Sequence, residues 1–175
     1  HVADQLLRPG DAFEAACTAL DETGAGLAQA VSGSEQLCIH IVGALPGERA
    51  RVRLDHLSSH RRGDVREAWA GLLDVLAPSP ARVQASCPAY GACGGCTLME
   101  LAYPAQLDWK RERVLGQFAS YPALARQTVE SCVPSPHIHG YRNQAKYVFG
   151  RAHDSGRLVL GAFAPRSHDL VDLAG

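Results

Sequence analysis

Lysine and methionine are scarce in this sequence of 175 residues, and no charge of either sign predominates. The formal net charge is −1 at pH 7, so the chain lacks an overall basic surface for nucleic acid, and local groups of arginine would have to supply one. No apolar stretch approaches the roughly 18–20 residues that a membrane span requires, and the first residues lack a signal-peptide pattern. We therefore expect a monomeric, cytoplasmic protein with no membrane partner.

Catalytic motifs are also missing. The sequence contains no Gly-x-Gly-x-x-Gly or phosphate-binding loop and no convincing acid–base pair of carboxylates. Ser167 and His168 are adjacent, but no third partner or nucleophile motif accompanies them. We expect neither a catalytic residue nor a small-molecule cofactor pocket within this chain.

Cysteine, by contrast, is present in an informative pattern. Among six cysteines, Cys87, Cys93 and Cys96 fall in the single run CPAYGACGGC. Glycine permits the tight backbone that brings neighbouring thiolates to one metal centre. A disulfide framework fits less well, because disulfide-bonded secreted domains are usually smaller and richer in cysteine. The run therefore favours a metal site in a reducing cytoplasm.

The spacing alone leaves three kinds of site open. Iron–sulfur clusters are usually held by four cysteine thiolates, so a cluster here would need a further ligand. Structural zinc sites commonly combine two Cys or His pairs, and only one Cys-x-x-Cys pair is visible. A thioredoxin-like redox pair would favour a βαβ setting. The other cysteines, Cys17, Cys38 and Cys132, are interpreted as buried, unreactive thiols, with Cys132 as a minor candidate for the missing ligand.

Residues 1–78 have the pattern of a small β-barrel. Short runs of apolar and β-branched residues alternate with glycine- and proline-containing turns, which indicates five strands and a barrel of the OB type. In the fourth run, Val52 and Leu54 alternate with Arg51 and Arg53, so we expect the arginines on the outer face. The predicted strands are Phe13–Leu20, Leu27–Val31, Gln36–Val42, Ala50–Leu54 and Arg66–Leu76.

A cysteine loop at residues 79–103 separates this barrel from a small α+β domain at residues 104–175. Apolar residues at helical spacing predict a helix over residues 104–119, with Pro104 in its first turn. Its apolar face consists of Leu107, Val114, Leu115 and Phe118. Strands are predicted at Tyr141–Phe149, Arg157–Phe163 and Leu170–Leu173, with a turn at Asp154-Ser155-Gly156.

Five segments of the chain, taken in order, resemble one protein family. They are Leu45-Pro46-Gly47-Glu48; Cys87 with Cys93-Gly94-Gly95-Cys96; Tyr103, Gln106, Lys110 and Val114; Tyr141-Arg142-Asn143; and Ser167-His168 with Val171-Asp172. Together they resemble the N-terminal part of the S-adenosylmethionine-dependent RNA uracil-5-methyltransferases, in the 23S rRNA branch that carries a TRAM domain and a 4Fe-4S cluster. Met99 departs from the family, which usually has glutamine at that point.

The resemblance implies that residues 1–78 form an RNA-binding TRAM barrel. It also implies that Cys87, Cys93 and Cys96 hold a 4Fe-4S cluster, with the fourth ligand expected beyond residue 175. The parent protein would transfer a methyl group from S-adenosylmethionine to C5 of a uridine in ribosomal RNA. We expect this chain, which begins without methionine, to lack the catalytic methyltransferase domain and to be inactive by itself.

Local basic residues are the candidates for RNA contact. Arg51, Arg53 and Arg62 belong to a basic stretch of the barrel, and neutralising phosphates supplies affinity that does not depend on sequence. In the family that the chain resembles, the Tyr-Arg-Asn strand lies near the bound target. Arg142 and, four residues later on the same face, Lys146 are therefore predicted to contact RNA. A solvated polar surface is the alternative for all five residues.

Two functions of other classes fit parts of the pattern. A stand-alone RNA-binding module with a structural metal would show the same barrel and thiols without a catalytic domain. A TRAM-bearing radical methylthiotransferase would also combine a barrel with a cluster. Its usual Cys-x3-Cys-x2-Cys spacing differs from the Cys-x5-Cys-x2-Cys spacing of this chain.

Overall fold

The computed structural model describes residues 6–152, 156–165 and 167–173. The chain divides into two compact units, His1–Arg82 and Val83–Gly175, which we call the barrel unit and the second unit. The boundary predicted at residue 78 lies four residues before this division. The two units are described separately.

The barrel unit contains five strands that close on themselves. The strands are β1 (Ala12–Leu20), β2 (Gly26–Ser32), β3 (Glu35–Val42), β4 (Arg49–Arg62) and β5 (Val65–Ala77). Their order around the barrel is β1-β2-β3-β5-β4, and β4 pairs back to β1. The β3–β5 pair is parallel and the other neighbouring pairs are antiparallel. The predicted mainly β fold with a five-stranded, OB-like barrel is therefore confirmed.

Alternation along the strands decides which side chains enter the barrel. Leu37, Ile39 and Ile41 of β3 are fully buried, whereas the residues between them are partly exposed. Complete burial of one such aliphatic side chain stabilises the fold by about 1.5–3 kcal/mol, so the inward row of β3 is a large part of the core. The predicted inward direction of Val52 and Leu54 in β4 is confirmed, and the arginines between them lie on the outer face.

Small side chains let the barrel close tightly. Gly26, at the start of β2, has the least space of the barrel's glycines. A Cβ at this position would lie 2.6 Å from the Sγ of Cys17 and 2.7 Å from the carbonyl oxygen of Ala44, so only glycine fits. Alanines fill much of the remaining interior, namely Ala15, Ala28, Ala50, Ala68 and Ala70.

The β4–β5 hairpin is longer than the sequence predicted. Strand β4 continues past Leu54 to Arg62, which lies opposite Val65 of β5. The two-residue turn begins at Gly63, whose φ is +65°, and a Gly-Asp pair between strands is a hairpin signal. Register shifts after Leu54 and after Leu57 interrupt the period-two alternation, which is why the extension was missed.

Among its described residues, the second unit contains one helix, α1 (Tyr103–Ala119), with Pro104 in its first turn as predicted. The predicted apolar face is only partly covered, because Leu107, Leu115 and Phe118 are half-buried. Val114 is 42% exposed. In the part of the chain that the structure describes, no helix is long and apolar enough to cross a membrane.

A three-stranded antiparallel sheet completes the second unit. Its strands, in the spatial order β6-β7-β8, are β6 (Val148–Arg151), β7 (Leu158–Phe163) and β8 (Leu170–Asp172). The strand predicted at Tyr141–Phe149 is wrong over residues 141–147, because these residues pair with no strand among the described residues. Asp154 and Ser155 of the predicted turn lie outside the described residues.

A buried carboxylate fastens the turn between β3 and β4. Glu48 is 1% exposed and accepts hydrogen bonds from the backbone N–H groups of Leu45 at 2.8 Å and Ser79 at 3.2 Å. Its two oxygens also accept from the guanidinium of Arg82 at 2.6 Å and 2.9 Å. Burial alone would raise the pKa of Glu48, but these hydrogen bonds outweigh it and hold the pKa below its ordinary value of 4.5.

We predict that Glu48→Gln lowers the free energy of unfolding by about 3 kcal/mol at neutral pH, because it removes the buried negative charge that faces Arg82. The ionised carboxylate stabilises the fold above its unfolded pKa of 4.5, and this contribution is lost as the pH falls through the lower folded pKa. The difference between variant and wild type should therefore shrink below pH 4.5. Urea denaturation followed by circular dichroism across this range measures both effects.

Glu14→Gln is the matched control for this substitution. The Glu14 carboxylate lies 3.7 Å from the guanidinium of Arg49, and the two side chains are 63% and 62% exposed. An exposed ion pair of this kind contributes less than about 1 kcal/mol. A Glu48 variant as stable as the Glu14 variant would contradict the role given to the buried carboxylate.

Candidate metal-binding loop and basic surfaces

The clustered cysteines lie on an irregular loop that precedes α1 in the second unit. Two consecutive turns shape this loop. The N–H of Tyr90 donates to the carbonyl of Cys87 at 3.1 Å, and the N–H of Cys93 donates to the carbonyl of Ala89 at 2.8 Å. Gly91, with a φ of +84°, supplies the left-handed backbone between them. The short glycine-rich segment thus folds back and carries the cysteines on one compact loop.

Cys93 has a backbone donor aimed at its sulfur. The N–H of Gly95 lies 3.3 Å from the Sγ of Cys93, and hydrogen bonds to the sulfurs help to set the reduction potential of a bound cluster. The neighbouring Gly94 donates its N–H to the carbonyl of Phe163 at 2.9 Å. A Cβ on Gly94 would lie 3.1 Å from that carbonyl oxygen, so glycine allows the loop to lie against the end of β7.

The three loop thiols are accessible but do not meet at one point. Cys87 and Cys93 are half-buried and Cys96 is exposed. Their sulfurs do not form a group in which all lie within 4.8 Å of one another. One zinc ion with Zn–S bonds of about 2.3 Å would place tetrahedral sulfurs about 3.8 Å apart, whereas a 4Fe-4S cluster gives each thiolate its own iron. Three thiolates are the kind of donor set that iron–sulfur clusters take.

Helix α1 holds the end of this loop. The side-chain amide of Gln106 donates to the carbonyls of Leu98 at 3.0 Å and Leu101 at 2.8 Å. The hydroxyl of Tyr103 accepts a hydrogen bond from the N–H of Ser135 at 2.8 Å. Gln106 thus ties the cysteine loop to α1, and Tyr103 ties the segment that follows the helix to it. Both residues belong to the helix segment that resembles the family.

The outward arginines of β4 have acidic neighbours. The Nε of Arg53 lies 3.3 Å from the carboxylate of Asp55. Arg51 lies opposite Glu14 of β1 on one side and opposite Asp74 of β5 on the other. The positive charge on this part of the barrel is therefore partly balanced by carboxylates.

The tip of the β4–β5 hairpin is the more basic part of the barrel. Arg61 and Arg66 both bind Glu35, with the guanidinium of Arg66 at 3.2 Å from the carboxylate. Arg62 is exposed and forms no ion pair with any residue that the structure describes. The hairpin therefore engages two of its arginines in ion pairs and presents Arg62 to solvent.

Arg142 and Lys146 are exposed in the irregular segment before β6. Their predicted placement on one face of a strand is therefore wrong. The guanidinium of Arg142 lies 5.8 Å from the ring centroid of Tyr141, within cation–π distance. Tyr141 is 65% exposed, so a cation and an aromatic ring lie together on this surface, a combination that suits an unpaired base.

The sequence interpretation missed a polar cluster on the outer face of the barrel. Cys38, predicted to be buried, is half-buried and lies outside the core with His40, because both alternate with inward residues of β3. Nδ1 of His40 lies 2.6 Å from the carboxylate of Asp21, and Nε2 lies 2.8 Å from that of Glu67. Burial alone would lower the pKa of His40, but the two carboxylates outweigh it and raise the pKa above 6.5. The period-two alternation of β3 could have placed both residues on this face.

No protein-family model matches the chain. Curated relatives nevertheless match most of it. An uncharacterized RNA methyltransferase of Geobacter sulfurreducens is 39% identical over 165 residues, which is 94% of this chain and 31% of that protein. Another from Thermosynechococcus vestitus is 32% identical over 164 residues, or 94% of this chain and 34% of that protein.

A further relative has a more specific name. The 23S rRNA (uracil(1939)-C(5))-methyltransferase RlmD of Halomonas elongata is 39% identical over 158 residues, which is 88% of this chain and 29% of that protein. The chain is thus homologous to a segment of RNA methyltransferases, which confirms the resemblance seen in its motifs. It spans about a third of the length of the curated relatives it matches.

Proposed function

We propose that this chain is the RNA-recognition and 4Fe-4S-binding portion of an RNA (uracil-C5)-methyltransferase that acts on 23S rRNA. The observation that carries the proposal is the similarity over about nine-tenths of the chain to RNA methyltransferases, one of which is named for this reaction. In the whole enzyme, S-adenosylmethionine supplies the methyl group. The residues of this chain bind and orient the RNA and contribute no catalytic group.

The loop would hold the cluster through the thiolates of Cys87, Cys93 and Cys96, with a fourth ligand from beyond residue 175. Support comes from the all-thiol donor set and from the Gly95 N–H directed at the sulfur of Cys93. The cluster would supply a rigid centre for the loop. We assign it a structural role, since it would fix the loop surface that faces RNA.

RNA would be held by the outer surfaces of both units. On the barrel, Arg51, Arg53 and Arg62 lie on the outer face, and an OB-type barrel commonly presents its sheet and loops to oligonucleotides. In the second unit, Arg142 and Lys146 are exposed. A cavity of about 390 Å³ in that unit has Lys110 and Tyr141 among its lining residues, which offers positive charge and an aromatic ring to a nucleotide.

Methyl transfer by the longer protein that contains this chain tests the proposal. The substrate is RNA with tritium at C5 of uridine, because methylation at C5 must release that hydrogen. We expect tritium release that depends on S-adenosylmethionine, and faster release from 23S rRNA than from tRNA. Formation of deoxyadenosine without tritium release would instead identify a radical methylthiotransferase. RNA binding with neither reaction would identify a stand-alone binding module.

We predict that Cys93→Ser removes most of the iron and sulfide from the longer protein after anaerobic reconstitution, because it removes a cluster ligand. Cys132→Ser is the matched control and should keep the wild-type iron content. Iron, sulfide and zinc are measured in all three proteins. Unchanged iron in the Cys93 variant, or zinc without sulfide in the wild type, would refute the cluster assignment.

We predict that Arg62→Ala and Arg142→Ala each weaken binding of a single-stranded, uridine-containing RNA. Each should also reduce the slope of log K against log salt by about 0.7, the value for one lost phosphate contact with a single strand. Arg8→Ala, which changes an exposed arginine before β1, is the control and should leave the slope unchanged. Fluorescence anisotropy titrations at several salt concentrations measure both quantities, and slopes equal to wild type would exclude phosphate contact.

A further inference from the structure

Three side chains with different donor atoms meet on the outer face of the barrel, away from the cysteine loop in sequence. Cys38 and His40 lie on β3, and the parallel register places Cys38 directly opposite Glu67 of β5. The Sγ of Cys38, a ring nitrogen of His40 and a carboxylate oxygen of Glu67 all lie within 4.8 Å of one another. Among the described residues, this is the one group of three potential ligands that converges so closely.

The imidazole of His40 is held in a fixed orientation. Its Nδ1 lies 2.6 Å from Oδ2 of Asp21, while its Nε2 faces Oε2 of Glu67 at 2.8 Å. The ring of Trp69 stacks on it, with centroids 5.3 Å apart and an interplanar angle of 14°. Metal-binding histidines commonly donate one ring N–H to a carboxylate while the other nitrogen coordinates the ion. His40 has this arrangement, with Nδ1 facing Asp21 and Nε2 facing the carboxylate of Glu67.

Asp21 is itself positioned by the turn after β1. Its Oδ1 accepts hydrogen bonds from the N–H of Thr23 at 2.7 Å, from the hydroxyl of Thr23 at 2.7 Å and from the N–H of Ala25 at 3.0 Å. Its Oδ2 is left for His40. The side chain of Asp21 is 14% exposed, so this contact is shielded from water. The carboxylate therefore supports the imidazole from a rigid part of the backbone.

We propose that Cys38, His40 and Glu67 form a binding site for a divalent transition-metal ion of the zinc type, with Asp21 as a positioning residue. Thiolate, imidazole and carboxylate are the donors that zinc takes in proteins. Calcium and magnesium prefer all-oxygen sites and would not select this set. Three protein ligands leave the fourth position to water or to a donor from a bound partner. The site goes beyond the proposed function and does not depend on it, since none of these four residues is assigned to the cluster or to RNA.

An imidazolium clamped between two carboxylates would give the same His40 distances without a metal. In that arrangement Cys38 stays a thiol that is hydrogen-bonded to Glu67, and burial together with the Glu67 carboxylate raises the pKa of Cys38 above its ordinary value of 9.0. Bound zinc would instead hold this sulfur as a thiolate. A test that measures the reactivity of this sulfur therefore distinguishes a metal site from a metal-free imidazolium. Site-resolved alkylation by iodoacetamide, followed by mass spectrometry, reports each cysteine of the full chain individually, so metal bound at the loop does not confuse the result.

In the wild-type chain, zinc should slow the alkylation of Cys38 by at least about 10-fold and leave that of Cys132 unchanged. Magnesium should protect neither. An alkylation rate of Cys38 that is the same with and without zinc would overturn the site. This experiment uses the wild-type chain, so its result does not depend on whether a variant folds.

Two variants of the same turn then test the support of the imidazole. Asp21→Asn should raise the zinc concentration for half-protection of Cys38 by about 10–100-fold, the usual effect of losing a group that orients a metal ligand. Glu22→Gln removes a charge from the neighbouring position and should leave that concentration unchanged. Equal effects of these two variants on the zinc concentration would overturn the positioning role of Asp21. A third variant, Glu67→Gln, tests a ligand directly. If zinc protects Cys38 in this variant as well as in the wild type, the assigned ligand set is wrong.

Discussion

The buried carboxylate of Glu48 is the constraint on which the barrel unit depends. It lies where the β3–β4 turn meets the chain after β5, which supplies Ser79 and Arg82, so one charged group joins two segments that are distant in sequence. A buried charge is tolerated only when it is paired and hydrogen-bonded, and here four hydrogen bonds satisfy it. Gly47, with a φ of +86°, lets the turn present the carboxylate inward. Strand β4 then begins in regular register with β1, and this register places Arg51 on the outer face between the buried Ala50 and Val52.

Strand register also determines which polar side chains lie together on the outer face of the barrel. Side chains along a strand alternate between the two faces of a closed barrel, so the residues on either side of a core residue point outward. The parallel β3–β5 register sets Cys38 beside Glu67 and His40 beside Trp69, although these pairs are far apart in sequence. The turn after β1 adds Asp21. The same rows of leucine and isoleucine that stabilise the barrel thus also assemble its outer-face cluster.

Local patterns predicted the regular parts of this fold and failed where long-range pairing decides. The alternation of β1 to β3, and the helix after the cysteine loop, could be derived because each has a clear period. Strand β4 was cut short at Leu54, since shifts in register break its period. Residues 141–147 have strand-like composition, but a strand also needs a neighbour to pair with. Residue type alone favours burial of Cys38, whereas the alternation of β3 places it on the outer face. The closeness of Asp21 and Glu67 to His40 arises from tertiary pairing, which no local pattern encodes.

The stacking around Trp69 bears on the intrinsic fluorescence of the barrel. Trp69 lies against His40 and is also contacted by His56, with ring centroids 5.5 Å apart in the latter pair. The chain has two tryptophans, and the other, Trp109, belongs to α1 of the second unit. Each unit therefore carries its own intrinsic fluorophore. Because the indole of the barrel stacks on His40, with ring centroids 5.3 Å apart, we expect its emission to respond to changes at that imidazole and to report events on the outer face without any added label.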